Sequence, residues 1–522
     1  MPDAVVIGSG PNGLVAANLL ADAGWDVIVL EAQDSPGGAV RSDRGVHPDY
    51  VSDMFSAFYP LGVASPAMKA LGLEQYGLRW RHADAVLAHP LEDGRCAVLE
   101  RDPERTAAGL DVLSPGDGAA WLKLYQLWQE LGDDLLRALF TPFPPVRAGV
   151  SLATKLRAAG GLRMLRFLVL PVRRLGEEEF TGPGGPLILA GSALHADLFP
   201  ESAGGTAFGW LLAMLGQQHG WPVPAGGAGE LTRALLRRLE ARGGTVRCGT
   251  PVRSVVVRDG RALGVRTADG EAIRATRGVF ADVPAPALYG GLVDWADLPT
   301  RLREDLRRFQ WDFATFKVDW ALSGPIPWSS PEASRAGTVH LAENMNALTD
   351  FTAQLVTGQV PDKPFVLVGQ MTTADPSRSP AGTESVWAYT HVPREILGDR
   401  GPDKITGAWD EHDENAMADR LEARIESHAP GFRQRIIGRR ILSPTTLQHH
   451  NASLVGGAIN GGTTAIHQQL FFRPVPGTGR PETPIRGLYL ASSSAHPGGG
   501  VHGACGANAA RAALRGVFHR RW

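Results

Sequence analysis

The most regular hydrophobic pattern of the chain lies in its first 31 residues. Residues 4–7 (Ala-Val-Val-Ile) and 26–30 (Asp-Val-Ile-Val-Leu) are short apolar runs typical of buried strands. Between them, Val15 and Leu19 share one face of a helix, and Gly24 stands where a left-handed cap would end that helix. The pattern therefore predicts a strand, a helix and a second strand.

The turn between the first strand and the helix has the glycine spacing G-x-G-x-x-G. Gly8 permits a tight turn, Gly10 lets the backbone approach a pyrophosphate, and Gly13 lets the helix pack closely against the strand. Unpaired N–H groups at the helix N-terminus attract phosphate. The motif predicts a dinucleotide site rather than a βαβ unit without a ligand. It gives cofactor-binding roles to Gly8, Gly10, Pro11, Asn12 and Gly13.

An acid and a second glycine pair follow this unit. Glu31 stands at the C-terminal end of the second strand, where its carboxylate can accept hydrogen bonds from ribose hydroxyls. Gly37, Gly38 and Arg41 come next, and their spacing resembles the flavoprotein pattern E-x5-G-G of the amine oxidase and phytoene desaturase superfamily. The resemblance implies FAD, with the glycine pair and the arginine near its diphosphate. The alternative is an ordinary Gly-Gly turn beside a solvated arginine.

An inserted region without a nucleotide motif follows this first part of the site. Aromatic and small residues are concentrated in residues 46–66, and the family resemblance places Ser56–Tyr59 near the isoalloxazine ring. Core packing is the alternative for these four residues. Residues 67–220 then predict strands near 80–99 and helices after Gly118.

The chain returns to the nucleotide theme between residues 221 and 299. A glycine-rich turn at 224–230 precedes a predicted helix. Strand material and hairpin turns are predicted at 245–257, 263–267 and 278–281. In the family that the chain resembles, a strand of this region contacts adenine, which gives that role to the backbone of Val252.

A second region without a nucleotide motif covers residues 300–480. Its pattern predicts strands at 313–322, 365–370 and 387–391 and an amphipathic helix at 413–428. His449 and His450 would lie on opposite faces of a strand and could not easily share one metal, so we predict no metal site. One of them facing a substrate cavity is the better hypothesis. Both are candidates for the catalytic base, beside Gln448 and Asn451 as polar groups that orient a ligand.

The C-terminal residues carry the most specific resemblance. A short apolar strand at 487–491 leads through serines into a run of three glycines, and a small-residue helix follows at 504–514. Successive glycines allow close backbone approach, and the helix N-terminus would stabilise negative charge on a reduced flavin. The stretch resembles the closing motif of phytoene-desaturase-like flavoproteins, which include carotenoid desaturases and isomerases and retinol saturase.

This resemblance assigns flavin contacts and a third catalytic candidate. The flavin contacts that it implies are Ser492, Gly499, Gly500, Val501 and His502, and His502 is also the catalytic candidate. The chain departs from the commoner superfamily motif by carrying Ser492-Ser493 where many members have Gly-Asp. The paired aromatic residues that cage an amine in the amine oxidases are not recognisable in the sequence.

Composition narrows the class of protein and its compartment. The chain has 522 residues, of which 43% are hydrophobic, so it can bury two large cores, and its formal charge of -2 argues against nucleic acid as a partner. Cys96, Cys248 and Cys505 lie far apart, which favours a reducing compartment over a disulfide framework. No basic leader precedes the first strand, and glycines and glutamines interrupt the longest apolar run, at 203–221. We expect a cytoplasmic protein.

Residues 147–176 form a basic segment with apolar positions between the charges. Its cationic side chains are Arg147, Lys155, Arg157, Arg163, Arg166, Arg173 and Arg174, and it contains no acid. Such a segment is typical of peripheral contact with an anionic membrane surface. The alternative is a pair of surface helices whose arginines meet the acids at Glu177–Glu179.

Together these patterns predict an α/β fold with a Rossmann-type FAD-binding domain built from discontinuous segments. Residues 1–66, 221–299 and 481–522 would form that domain, and residues 67–220 and 300–480 an α+β substrate domain. The family resemblance implies a desaturase or dehydrogenase that moves hydride from an apolar substrate to flavin N5. No second G-x-G-x-x-G is visible, which favours oxygen or a quinone as electron acceptor over a nicotinamide. An amine oxidase, a redox-neutral isomerase and a non-catalytic FAD-binding scaffold are the alternatives.

Overall fold

The computed structural model of the protein describes residues 1–142, 144–145, 153–154, 157 and 160–516. Its α-helices span Pro11–Asp22, Pro60–Ala64, Pro66–Ala70, Pro103–Leu113, Asp117–Leu139, Leu162–Val169, Val172–Glu179, Gly184–Leu194, Gly205–His219, Gly229–Ala241, Ala285–Leu288, Thr300–Leu306, Met345–Val356, Met371–Ala374, Glu411–Glu426, Pro444–His450 and Ala504–Leu514. None of the helices in this described part of the chain has the length and apolar character needed to cross a bilayer.

A five-stranded parallel sheet contains the first βαβ unit. Its strands, in spatial order, are Leu488–Leu490, Gly278–Ala281, Ala4–Ile7, Val27–Leu30 and Thr245–Arg247. The helices Pro11–Asp22, Gly229–Ala241 and Ala504–Leu514 cover one face of this sheet. An antiparallel sheet of Val252–Arg258, Arg261–Thr267 and Ala272–Arg274 covers the other. Parallel strands covered on both faces are apolar throughout, which is why the sequence predicted them. The predicted α/β fold class is confirmed.

A seven-stranded mixed sheet forms the second layer of the molecule. Its strands, in spatial order, are Ile436–Leu442, Ala314–Leu322, Glu384–Val392, Val366–Gln370, Ala336–Leu341, Ala85–Pro90 and Cys96–Leu99. The helices Asp117–Leu139, Gly184–Leu194 and Gly205–His219 pack on one face of the sheet. The helix Glu411–Glu426 packs on the other. The domain boundaries given above stay a prediction, although the two sheets draw their strands from the two predicted sets of segments.

Three short two-stranded pairs accompany these sheets in the described residues. They are Ser42–Asp43 with Ser52–Asp53, Trp80–Arg81 with Val223–Pro224, and Gln359–Val360 with Gly398–Asp399. The helix Pro103–Leu113 was not predicted, because the sequence analysis placed the first helices of this region after Gly118. Asp102 caps that helix by accepting a hydrogen bond from the Glu104 N–H at 3.0 Å, so a start signal was present.

The expectation of a strand around His449 and His450 is wrong. Both residues lie in the last turn of the helix Pro444–His450. Ser443 caps this helix, because its hydroxyl accepts a hydrogen bond from the Thr446 N–H at 3.4 Å, and Pro444 occupies the first turn. Ser followed by Pro is a helix start signal, and it takes precedence over the β-branched threonines that follow.

Candidate functional site

A cavity of about 690 Å³ runs from the C-terminal edge of the parallel sheet to one face of the seven-stranded sheet. One end of the cavity, the glycine-rich end, is lined mainly by the main chain of the glycine motifs. The other, the apolar end, is lined mainly by aromatic and aliphatic side chains. The predicted site residues that line it are Gly8, Gly10, Pro11, Asn12, Glu31, Gly38, Arg41, Val252, His450, Ser492, Gly499, Gly500, Val501 and His502. Gly13, Gly37 and His449 are not part of its wall.

The first glycine loop leaves no room for side chains. Gly8 has φ +90°, in the left-handed region that favours glycine, and a Cβ on Gly13 would lie 2.3 Å from the Gly8 carbonyl oxygen. A Cβ on Gly38 would lie 2.9 Å from Cα of Gly10, so the second glycine pair touches the first motif. The resulting cradle of bare backbone at a helix N-terminus fits a diphosphate.

Glu31 is held in a fixed orientation beside this cradle. Its carboxylate accepts hydrogen bonds from the Ser9 N–H at 2.8 Å, the Ser9 hydroxyl at 2.6 Å and the Gln33 N–H at 2.9 Å. The side chain lines the cavity and is largely buried. An acceptor fixed in this way suits a ribose hydroxyl, so the residues present fit FAD at this end.

Asp282 is a site residue that the sequence analysis missed. It follows the strand Gly278–Ala281, lines the cavity, and accepts a hydrogen bond from the Gly13 N–H at 2.8 Å. A Cβ on Gly10 would lie 2.6 Å from its Oδ2. Burial raises the pKa of this carboxyl to about 7, and the nearby Glu31 adds to the rise. An acid directly after a predicted buried strand that neighbours the first one was the available signal.

Arg41 connects the cradle to the other side of the cavity. Its guanidinium donates to the Gly38 carbonyl at 3.1 Å and, across the cavity wall, to the carbonyl oxygen of His450 at 2.6 Å. It also lies over the ring of Phe55, with 5.1 Å to the ring centroid. Gly37 supports this turn from behind, because its N–H donates to the Ser9 carbonyl at 3.1 Å.

The closing motif packs directly on the first helix. A Cβ on Gly506 would lie 1.8 Å from the carbonyl oxygen of Asn12, so the C-terminal helix and the first helix touch backbone to backbone. A Cβ on Gly499 would lie 2.6 Å from Oδ1 of Asn460, and Gly500 has φ +103°. These close approaches leave the main chain at 499–501 as cavity wall. The motif thus presents backbone groups to a flat ligand.

Both ring nitrogens of His502 are engaged by the main chain. Nδ1 accepts from the Ala504 N–H at 3.0 Å, so Nε2 carries the proton and donates to the Gly498 carbonyl at 3.2 Å. Burial lowers the pKa of His502 to about 4, which keeps the ring neutral. These bonds fix the loop at the start of the C-terminal helix.

His449 and His450 differ in position. His450 is half-buried and lines the cavity, whereas His449 is exposed. Burial lowers the pKa of His450 below its ordinary value, and the cation of Arg41 adds to this. Within the described residues, no three His, Cys, Asp or Glu side chains are grouped as metal ligands.

The apolar end of the cavity is built by helices and by alternate residues of the seven-stranded sheet. Its apolar side chains are Phe55, Phe58, Leu61, Leu139, Phe140, Phe208, Leu211, Leu212, Trp221, Trp387, Leu447, Leu454 and Ile459. Ser56–Tyr59, which the resemblance placed near the flavin ring, all line the cavity. Trp387 and Tyr389 stack on each other with 5.8 Å between ring centroids, which leaves no gap for a ligand between them.

Lys317 is a buried cation in this wall, and the sequence analysis missed it. Its side chain is 4% exposed, donates to the Asp53 carbonyl at 2.9 Å and pairs with Asp319. Asp319 is shared with Arg440, whose Nη2 lies 2.7 Å from Oδ2. A lysine inside the strand Ala314–Leu322, otherwise mostly apolar, was the signal.

Four polar side chains stand among the apolar ones near the helix Gly184–Leu194. Nε2 of His195 lies 2.9 Å from Nε2 of His340, and the His195 ring is 5.1 Å from that of Trp221 and 6.5 Å from that of Tyr389. The hydroxyl of Thr338 is buried and has no hydrogen-bond partner in the described part of the chain. His195, Thr338 and Tyr389 line the cavity.

Comparison with known proteins places this arrangement among flavoproteins. The sequence profile described as "Flavin containing amine oxidoreductase" matches residues 12–309. The chain is 28% identical to "Pyridine nucleotide-disulfide oxidoreductase domain-containing protein 2" of Mus musculus, over 98% of this chain and 93% of the relative. It is 22% identical to a component of the limonene dehydrogenase of Castellaniella defragrans, over 100% and 96% of the two chains. It is 25% identical to "Phytoene desaturase (neurosporene-forming)" of Cereibacter sphaeroides, over 96% and 92%.

Solved structures share the fold at low sequence identity. An oxidoreductase from Methanosarcina mazei superposes with a TM-score of 0.62 at 16% identity, over 98% of this chain and 99% of that chain. A putrescine oxidase bound to putrescine superposes with a TM-score of 0.60 at 17% identity, over 98% of each chain. These similarities confirm the predicted fold, and the named relatives confirm the resemblance to phytoene-desaturase-like flavoproteins.

Proposed function

The chain belongs to the flavin containing amine oxidoreductase family and is an FAD-dependent oxidoreductase, and on that premise we propose that it dehydrogenates an apolar substrate of isoprenoid or lipid type. Two hydrogens would leave across a C–C bond, and oxygen or a quinone would serve as the final electron acceptor. When bound, FAD supplies the acceptor for a hydride. The apolar end of the cavity, which is continuous with the glycine-rich end, is the observation that carries the proposal.

The chemistry of the wall supports an apolar substrate. Aromatic and aliphatic side chains provide most of the surface at that end of the cavity, and such a lining excludes water while a few polar groups orient the ligand. Two of the named relatives are a limonene dehydrogenase component and a phytoene desaturase, whose names refer to apolar isoprenoids. We extend that substrate class to this chain as a proposal.

The proton that accompanies hydride removal needs an acceptor. Among the three predicted catalytic histidines, His450 combines a place in the cavity wall with a half-buried side chain. His502 has both nitrogens bonded to the main chain, and His449 is exposed. We therefore keep His450 as the proposed base, and Gly499, Gly500 and Val501 as backbone contacts of the flavin.

An anaerobic reduction experiment tests the proposal. The holoprotein is mixed with a panel of polyenes, terpenes and fatty acyl compounds, with amines, and with NADH and NADPH, and flavin absorbance is followed. We expect bleaching by a member of the apolar set and none by the nicotinamides. Bleaching by amines alone would instead identify an amine oxidase, and rapid bleaching by NADPH would reverse the proposed direction of electron flow. Isomerised product without net oxidation would identify a redox-neutral isomerase. If no compound is turned over, the result would favour an FAD-binding scaffold.

Peripheral membrane contact through residues 147–176 is a second part of the proposal. On the helix Leu162–Val169, the apolar side chains of Leu162 and Leu165 are 82% and 56% exposed. Arg166 pairs with Glu178 at 2.6 Å, as the surface-helix alternative requires for this arginine. Arg147 and Lys155 lie outside the described residues.

Vesicle binding separates these two interpretations of the basic segment. We expect the holoprotein to bind vesicles containing phosphatidylglycerol, to lose affinity as salt is added, and to lose it further when Arg163 is replaced by Glu. Substitution of Arg261, in a strand of the small antiparallel sheet, by Glu is the control. If the holoprotein does not bind the vesicles even at low salt, the surface-helix interpretation is the correct one.

A further inference from the structure

A histidine pair at the apolar end of the cavity shares one hydrogen. The two Nε2 atoms of His195 and His340 lie 2.9 Å apart, so one ring donates and the other accepts. His195 follows the helix Gly184–Leu194 and lines the cavity, whereas His340 is fully buried in the strand Ala336–Leu341. The direction of this bond decides which hydrogen His195 can offer to a ligand.

The surroundings of His340 fix that direction. Its Nδ1 is buried without a hydrogen-bond partner in the described chain, and a Cβ on Gly191 would lie 2.2 Å from it. Nδ1 of His340 therefore faces the Cα–H of Gly191. A nitrogen without a hydrogen can accept a weak contact from that C–H, whereas an N–H there would meet it hydrogen to hydrogen. Nε2 of His340 then carries the hydrogen and donates to His195. His195 must accept at Nε2 and hold its own hydrogen on Nδ1.

Both rings are neutral in this environment. Burial lowers the pKa of His195 to about 3 and that of His340 well below its ordinary value. The titratable neighbours are His89 beside His340, and His391 and Tyr389 on the strand Glu384–Val392 near His195. Asp197, two residues after His195, has its pKa raised by burial and by Asp312. A neutral Nδ1–H donates hydrogen bonds and binds no counter-ion.

A second polar group lies on the same face of the same strand. Thr338 precedes His340 by two residues, so the two side chains are about 7 Å apart along the strand. The Thr338 hydroxyl has no partner among the described residues although it is buried and lines the cavity. A buried hydroxyl without a partner is costly, and a ligand oxygen would relieve that cost.

We propose that His195 donates a hydrogen bond through Nδ1–H to an oxygen of the substrate, and that Thr338 offers a second bond to the same group. The substrate is thereby an oxygen-bearing apolar molecule, an alcohol or carbonyl compound on an isoprenoid-like skeleton, rather than a pure hydrocarbon. His340 acts as a positioning residue because it holds the tautomer of His195. This inference rests on the proposed function for its apolar skeleton.

Binding to the holoprotein tests the inference without turnover. The probes are three acyclic ten-carbon terpenes: citral with a carbonyl group, geraniol with a hydroxyl group, and the hydrocarbon myrcene. Affinities are measured by titration calorimetry. For the wild type we expect citral and geraniol to bind about three- to tenfold more tightly than myrcene, as one or two neutral hydrogen bonds provide. With His195→Phe, the preference for citral and geraniol over myrcene should shrink to what the remaining bond from Thr338 provides, about threefold or less.

His340 supplies a pair of variants that separate positioning from packing. His340→Gln retains a donor for Nε2 of His195 and should keep the full preference for oxygenated probes, whereas His340→Leu should reduce that preference as His195→Phe does. Phe208→Leu is the matched control in the apolar wall, and it should weaken all three probes equally. FAD content and the thermal midpoint of unfolding identify any variant that fails to fold. If His195→Phe fails to fold, the comparison of His340→Gln with His340→Leu tests the inference instead.

Equal affinity of the wild type for citral and myrcene, or an unchanged preference in His195→Phe, would overturn the inference. Failure of the proposed function would appear separately, as tight and selective binding of the oxygenated probes without any bleaching of the flavin. Bleaching by myrcene with no preference for citral would support the proposed function and refute the role of His195.

Discussion

The two ends of the cavity are built on opposite principles. At the glycine-rich end, main-chain groups and two oriented acids, Glu31 and Asp282, form the wall, and most of the lining comes from residues 8–13, 31–41 and 492–502. At the apolar end, side chains from three strands of the seven-stranded sheet and from several helices meet. Neighbours in space such as His195 and His340 are 145 residues apart in sequence. A wall of main chain needs glycines at fixed local spacing, and a wall of side chains needs only the right residue on the right face. The first kind of site leaves a local motif, and the second leaves none.

The strongest test of this contrast is a substitution that fills the backbone cradle. Gly13→Val would place a Cβ 2.3 Å from the Gly8 carbonyl oxygen, so the first helix must move away from the strand. We expect complete loss of bound FAD, measured as the flavin-to-protein absorbance ratio. Gly109→Ala, in the helix Pro103–Leu113 with nothing within 4 Å of its Cβ, is the control. It should retain full FAD and gain about 0.4–1 kcal/mol of stability.

A substitution at the junction of the two ends should spare the cofactor and slow the chemistry. His450→Ala keeps the carbonyl oxygen that accepts from Arg41 and removes the proposed base. We expect normal FAD content and about a hundredfold slower flavin reduction by the best apolar substrate. His449→Ala, one residue earlier and exposed, should reduce the rate little. Equal rates in the two variants would remove His450 from the chemistry.

Removing the acid that is positioned for the ribose, Glu31, should have a smaller effect than filling the cradle. Glu31→Ala loses a charged acceptor, worth about 1.5–3 kcal/mol, so the dissociation constant for FAD should rise at least tenfold. The measurement is flavin fluorescence released on dilution of the holoprotein. Glu271→Ala, at an exposed acid paired with Arg247 at 2.7 Å, is the control and should leave FAD affinity unchanged.

Asp282 makes the same end sensitive to pH. Burial raises its pKa to about 7, so the carboxyl is neutral below that pH and becomes a carboxylate beside the cradle above it. The stabilisation that follows from the raised pKa is present in acid and is lost as pH rises from about 4 to about 7. Because an ionised Asp282 beside the cradle repels the diphosphate, we expect the wild type to retain FAD less well above pH 7 than at pH 6. Asp282→Asn should flatten this dependence, and an unchanged profile would show that another group controls it.

The sequence predicted the parts of the fold whose residues repeat a local rule. Buried parallel strands at 4–7, 27–30 and 278–281 are uninterrupted apolar runs, and the glycine spacing identified the cradle between them. The helix Pro444–His450 was missed although Ser443 and Pro444 form a helix start signal, because the capping residues were not considered when a strand was assumed around His449 and His450.

The side chains of the apolar end could not be predicted in the same way. Lys317 and Thr338 both line the cavity, although two other strands of the sheet lie between theirs. The order of strands in a sheet is not visible in any single segment of the sequence. Asp282 lies between these cases. Its place after a predicted strand was visible, but its contact with Gly13, 269 residues away in sequence, depends on which strands are neighbours.

Two hydrogen bonds of Arg41 connect the part of the wall that would hold the cofactor with a part of the substrate wall. One guanidinium bonds the glycine turn that touches Gly10 and the last carbonyl of the helix Pro444–His450, which carries part of the substrate wall. We expect a ligand that holds the turn in place to hold that helix end as well, and each occupancy would then strengthen the other by the same factor. One coupling free energy would then contribute to both the affinity for the cofactor and the affinity for the substrate. A substitution that weakens this coupling would lower both affinities.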